Sequence, residues 1–166
     1  MTRTPTLTPT PTSTSTTTAT SPSAVEVEIR TLVARRTAAL RAGDPDALVG
    51  AFAPGAVTFT LAPPLRNVGS SVHDPDGLRR WFGTFDGPVD YEVRELVVNA
   101  DADLAFCHSL NRMSATPRGA TEPFDLWFRS TLGLRRVDGT WRIVHQHDST
   151  PFYMDGSFAA ALDLTP

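Results

Sequence analysis

Only one cysteine stands in the 166 residues, Cys107, set within an apolar stretch. A lone thiol cannot close an intramolecular disulfide, so nothing in the chain asks for an oxidising compartment. Free cysteine is among the most buried residue types, and Cys107 reads as a structural thiol rather than a nucleophile. Excess charge of either sign is also missing: 15 basic and 18 acidic residues leave a formal charge of -3. That balance provides no electrostatic footprint for nucleic acid and no polybasic patch for a membrane. No Gly-rich phosphate loop follows any strand-like segment, and no flavin or nicotinamide motif is present, so no cofactor is expected. Residues 1–23, "MTRTPTLTPTPTSTSTTTATSPS", have almost no apolar content. They lack the roughly 7–15-residue apolar core of a secretory signal and cannot bury enough surface to order themselves. We read them as a disordered Thr/Pro/Ser-rich leader on a cytoplasmic protein.

What remains, residues 24–166, suits one globular domain, in a chain with 40% apolar and 20% charged residues. In "SAVEVEIRTLVARRTAALRAGDPDAL", Val25, Ile29, Leu32, Val33 and Leu40 recur at helical spacing, with Ser23 as N-cap and Gly43 as terminator. Asp44-Pro45 restarts a short helix carrying Leu48, Val49 and Phe52, which Pro54-Gly55 ends. Val57, Phe59 and Leu61 alternate with threonines as a strand. Asp74-Pro75 opens a third helix with Leu78, Trp81, Phe82 and Phe85 as its inner stripe. Residues 89–99, 103–115, 123–136 and 139–149 are strand-like, the last two joined by the Asp138-Gly139 hairpin signal. The order α-α-β-α-β-β-β-β predicts an α+β fold with helices on one face of a curved sheet.

This order, with "APPL" at 62–65, "LRRWFGTFDGPV" at 78–89, "LWFRSTLGLRRVDGTWRIVHQHDSTPF" at 126–152 and the tail "LDLTP", resembles SnoaL-like proteins. They belong to the nuclear transport factor 2/ketosteroid isomerase-like superfamily. The resemblance covers residues 24–166. It implies a cone-shaped, half-open barrel: a curved antiparallel or mixed sheet wrapped round a long N-terminal helix, with a pocket at the wide end. It also implies a homodimer packed through the outer sheet face. The fold does not fix a chemistry, because it hosts isomerases, cyclases, hydrolases and non-enzymes alike.

The hairpin predicts which residues share a face. Counting outward from Asp138-Gly139 sets Leu134 against Ile143, Leu132 against His145 and Ser130 against His147. Phe128, Ser130, His145 and His147 then face inward. Trp127, Arg129 and Gln146 face outward as the dimer surface, with Asp125 beside them and Arg129 paired to Asp148. His108 is a companion on the neighbouring strand, in phase with Arg112.

Steroid-isomerase relatives use an aspartate base, and SnoaL-like relatives often carry an acid just before the "LAPP"-like turn. Here that place is Thr60, which cannot abstract a carbon-bound proton. Histidine can, since its ordinary pKa lies near neutrality. The expectation is therefore a cofactor-independent isomerase, cyclase or hydrolase-type enzyme acting on a small hydrophobic or polyketide-like molecule. His147 and His145 would transfer protons, and His108, Ser130, Arg112, Trp81, Phe59, Thr60 and Phe128 would hold the substrate. No third ligand accompanies the His-x-His pair, so no metal is expected. The alternative is a non-catalytic ligand-binding or dimeric interaction module.

Overall fold

A computed structural model describes residues 23–166; the leader proposed for 1–23 lies outside the described residues except for Ser23, which caps the first helix. Helix α1 (Ala24–Ala42) starts where Ser23 Oγ accepts the Glu26 N–H at 3.1 Å. It stops at Gly43, whose φ of 61° is a left-handed conformation that glycine adopts without steric cost. Asp44 accepts the Ala47 N–H at 3.0 Å and opens α2 (Pro45–Gly50). Asp74 accepts the Gly77 N–H at 2.8 Å and opens α3 (Pro75–Phe82).

The strands are β1 (Phe52–Phe59), β2 (Asn67–Val68), β3 (Asp90–Ala100), β4 (Leu104–Ala115), β5 (Phe124–Val137) and β6 (Thr140–Ser149). They form one sheet in the order β2-β1-β6-β5-β4-β3, in which β1 runs parallel to β6 and all other neighbours are antiparallel. The sheet is thus mixed, and the α+β order read from the sequence holds with one addition, the two-residue β2 that pairs with β1 ahead of α3. Some boundaries differ. Phe52 begins β1 rather than ending α2, because α2 stops at Gly50 and the chain turns at once into the strand. Pro54 and Gly55 therefore lie within β1, while Leu61 falls beyond the end of β1 and Phe85 beyond the end of α3.

Helix α1 lies along the concave side. Its Ile29 and Val33 pack with Cys107, Leu132, Leu134, Trp141 and Ile143, and Ile29, Leu134, Ile143 and Cys107 are the most completely enclosed. Burial pushes the Cys107 thiol up to about 11, as suits an inert packing residue. Among the described residues no helix is long and apolar enough to cross a membrane.

The β5–β6 hairpin turns at Asp138 and Gly139, both at positive φ, with Val137 opposite Thr140. The predicted pairing holds as far as Leu134 opposite Ile143 and then shifts: Gly133 faces His145. Val144 is the extra residue, a β-bulge in β6. Beside it β1 is irregular as well, its pairing passing from Phe52 opposite Ile143 to Val57 opposite His145.

Candidate functional site

One extra residue inverts every side chain beyond it, because the two faces of a strand alternate with period two. Past Val144, Gln146 and Asp148 point into the cone, and His145 and His147 point out. This corrects the orientation expected for both histidines, and the cause is the bulge. His145 is half-buried, with Nδ1 3.1 Å from the Val57 carbonyl oxygen. His147 is exposed. The Phe59 ring meets both imidazoles edge-on, at centroid distances of 5.1 and 5.6 Å.

The concave surface beyond the bulge carries a polar cluster instead. Arg36, from the middle of α1, donates through Nη2 to Gln146 Oε1 at 2.7 Å. The Gln146 amide donates to Asp148 Oδ2, and Ser130 Oγ donates to Asp148 Oδ1 at 2.7 Å. On the adjoining strands Ser109 donates to Asn111 Oδ1 at 2.8 Å, and Asn111 Nδ2 donates to the Tyr91 hydroxyl at 2.7 Å. Ser109 lies directly opposite Ser130, so the two chains of hydrogen bonds are neighbours. Phe128 lies under them, buried and edge-on to Tyr91 at 6.1 Å.

Burial dominates the electrostatics of this cluster. It raises the Asp148 carboxyl above the usual carboxylate range, against the pull of the Ser130 hydroxyl, Arg36, Gln146 and the charge of His147. It pushes the Tyr91 phenol up to about 12, although nearby Arg36 and the Asn111 bond favour the ionised form. Both groups are therefore held toward their protonated states. A carboxyl raised in this way is better suited to accept and return a proton than an ordinary one.

A cavity of about 200 Å³ opens beside Arg36 and Gln146. Leu40, Leu48, Val49, Phe52, Val72 and Leu78 form its apolar wall, and Thr58, Thr60 and Asn67 are its neutral polar members on β1, the turn after it and β2. A separate groove of about 490 Å³ lies under the 60–65 turn, lined by Phe59, Thr60, His147 and Asp148 together with Leu61 to Leu65. Asp148 is thus reached from the groove directly and from the cavity through Gln146.

Several residues singled out in the sequence come together here. Thr60 belongs to both hollows, its hydroxyl donating to the Ala62 carbonyl oxygen at 3.0 Å. Ser130 and Phe128 are interior, as expected, and Phe59 and His147 share the groove. Others lie elsewhere. His108 is exposed on the outer face, opposite Thr131 and 6.0 Å from the Phe106 ring. Arg112 is on the same outer face, where Nε donates to Asp125 at 2.8 Å and Nη1 to Asp90 at 2.9 Å, so it cannot reach the interior. Trp81 packs against Phe82 and Phe85, while α3 sends Leu78 to the cavity.

Of the surface assigned to a dimer, Trp127 and Arg129 do face outward, Trp127 under the Arg94 guanidinium at 4.8 Å. Gln146 does not: it is buried, turned in by the bulge. The expected Arg129–Asp148 pair is absent for the same reason, since Arg129 faces Ser149. Among the described residues no group of three or more His, Cys, Asp or Glu side chains is arranged to hold a metal ion.

The interior residues that sequence reasoning missed are Arg36, Tyr91, Asn111, Gln146 and Asp148. For Arg36 there was a signal. The apolar stripe of α1 runs Ile29, Val33, Leu40, and the position three after Val33 and four before Leu40 is Arg36. Gly133, alone in the middle of a strand, was the corresponding hint of a bulge.

Comparison with known proteins agrees with this architecture. Residues 29–153 match the SnoaL-like domain family. An NTF2-like protein of unknown function from Pseudomonas putida KT2440 is 33% identical, with a TM-score of 0.74 over 86% of this chain and 97% of its own. A putative scytalone dehydratase from Novosphingobium aromaticivorans DSM 12444 has a TM-score of 0.65 at 17% identity, over 81% of this chain and 89% of its own. A ketosteroid isomerase-like protein from Erwinia carotovora atroseptica SCRI1043 has a TM-score of 0.61 at 20% identity, over 74% and 93%. The last two share the fold at identities too low to carry an activity across. No curated protein matches the chain. With three quarters of its length matched, the chain belongs to the SnoaL-like family, on the NTF2-like fold.

Proposed function

We propose that the protein binds a small, mainly apolar carbonyl compound in the cavity between the helices and the sheet. There it catalyses cofactor-independent proton transfer, with Asp148 as the proton-transfer group. The observation that carries this reading is a half-buried acid turned into the cone, raised by burial and held by Ser130 and Gln146 beside a guanidinium. Its chemistry balances simply. The ionised carboxyl takes a proton from the carbon next to the carbonyl, the electron pair moves onto the carbonyl oxygen, and the carboxylic acid returns the proton to the same or a neighbouring carbon. Arg36 is suited to stabilise the oxygen as it gains charge. For Asp148 to touch the substrate, the Gln146 amide between them must turn aside. His147 takes a different part from the one its sequence position suggested: it lines the groove behind Asp148, where its charge favours the ionised carboxyl.

The test needs no prior substrate. A panel of cyclic and aryl ketones is incubated with the protein in D2O, and exchange of the α-protons is followed by NMR. The expected result is catalysed exchange of at least one compound, falling about a hundredfold or more in Asp148→Asn. Exchange that persists in the variant would sink the assignment.

A second reading, ligand binding without chemistry, is favoured by the fact that both Asp148 oxygens already accept hydrogen bonds and Asp148 is not itself in the cavity wall. Bound ligand with no exchange across the panel supports it. Pairing of two copies through the outer face belongs to either reading. Phe106, Leu104 and Val97, exposed by 48%, 60% and 44% on that face, support it.

A further inference from the structure

We infer that Arg36 makes the inner cavity a site for small apolar carboxylates, a step that rests on the ligand-binding reading above and names the class of molecule bound. Five other arginines show the usual arrangement, and what sets Arg36 apart is an enclosed Nε without an acceptor. Arg30, Arg79, Arg94, Arg112 and Arg136 each stand within 3 Å of a carboxylate oxygen. Arg36 forms no such ion pair among the described residues. Its hydrogen bond goes to the neutral amide of Gln146, and its Nε is fully enclosed with no acceptor.

A guanidinium cannot shed its proton, and an enclosed donor without a partner costs free energy until an acceptor arrives. The interior acid that could have served, Asp148, is taken by Gln146 and Ser130. The other acid in the cavity wall, Asp74, accepts the Gly77 N–H and faces Arg80. The cavity wall therefore presents one cation without a carboxylate of its own, against a mostly aliphatic surface.

That combination selects the ligand. A carboxylate offers two coplanar oxygens, matching two N–H groups of the guanidinium fork. Its apolar remainder lies against Leu40, Leu48, Val49 and Leu78. A phosphate would leave most of its oxygens facing those aliphatic side chains unbonded. The volume of about 200 Å³ limits the remainder to a single small ring, below the ~300–1,000 Å³ of sites for larger ligands. The Phe52 ring, 5.5 Å from the guanidinium carbon, supports the fork from below. Turning the guanidinium about its terminal torsions exchanges the Gln146 bond for the ligand and brings Nε to an acceptor.

Benzoate and its neutral isostere benzamide test this on the full chain. The expected result is that benzoate binds at least about tenfold more tightly than benzamide, as a charge-assisted fork contact requires. It should shift the backbone amide resonances of Leu48, Phe52 and Thr58, and Arg36→Gln should abolish the preference. The comparison within the unsubstituted protein stands even if the variant does not fold. Equal binding of the two compounds, no binding of benzoate, or an unaltered preference in Arg36→Gln overturns the inference. Benzoate has no proton on the carbon next to its carbonyl, so this readout is independent of Asp148 chemistry. Benzoate binding without ketone exchange removes only the catalytic reading, and ketone exchange without a benzoate preference removes only the carboxylate site.

Discussion

The concave surface of the sheet changes character at Val144. Toward the hairpin, Leu134, Trp141 and Ile143 pack onto Ile29 and Val33 in a buried apolar layer. Toward the other end, the same strands and the same helix bring Ser130, Gln146, Asp148 and Arg36 together. Neighbouring positions on the same elements thus serve opposite ends. The apolar part holds the molecule together, each fully buried Ile or Leu contributing roughly 1.5–3 kcal/mol. The polar part is a place where enclosed hydrogen-bonding groups are kept next to a hollow, which stability alone does not favour.

If this division is right, the largest stability loss comes from the apolar end. Ile143→Ala should cost roughly 2–5 kcal/mol in urea denaturation, since Ile143 is fully enclosed. At the polar end, Tyr91→Phe strands the Asn111 amide donor and should cost roughly 1–3 kcal/mol by the same measurement. An equal or larger loss than at Ile143 would contradict the division.

A smaller effect concerns pH. The folded protein holds the Asp148 proton more tightly than the unfolded chain does, because burial raises this carboxyl. Its contribution to stability is therefore complete below the ordinary carboxylate pKa and is lost as pH rises through the higher folded value. Asp148→Asn removes that dependence, so the stability of the variant relative to the unsubstituted protein should climb with pH across this interval. Paired denaturation curves between about pH 3 and 7 read it directly, bracketing the ordinary carboxylate value near 4, and a constant difference would show that the acid is not perturbed. Smallest of all, Arg112→Ala should change stability by no more than about 1 kcal/mol and leave cavity binding untouched, since its carboxylate partners are largely exposed on the outer face.

Much of the architecture was legible because its signals are local. Ser23, Asp44 and Asp74 cap the helices they were expected to cap, and Asp138-Gly139 makes the predicted turn. Faces were also legible wherever alternation ran unbroken, as for Asp125 and Trp127 outside and Ser130 and Phe128 inside. The site was not, for one physical reason. Strand parity is a long-range count, and a single uncounted residue at Val144 carried His145 and His147 to the wrong side and hid Gln146 and Asp148. Nothing about valine marks a bulge; the only hint lay across the ladder, at Gly133. Arg36 was overlooked for a different reason, since an arginine among helix charges looks solvated until its place in the apolar stripe is noticed.

The Asp148 carboxyl stands in the partition between a sheltered chamber and an open trench, touching the first through Gln146 and the second directly. Such an acid can exchange its proton with bulk water on its trench side without passing it through the chamber. Refilling the proton and releasing the guest would then be separate events, and neither would have to wait for the other.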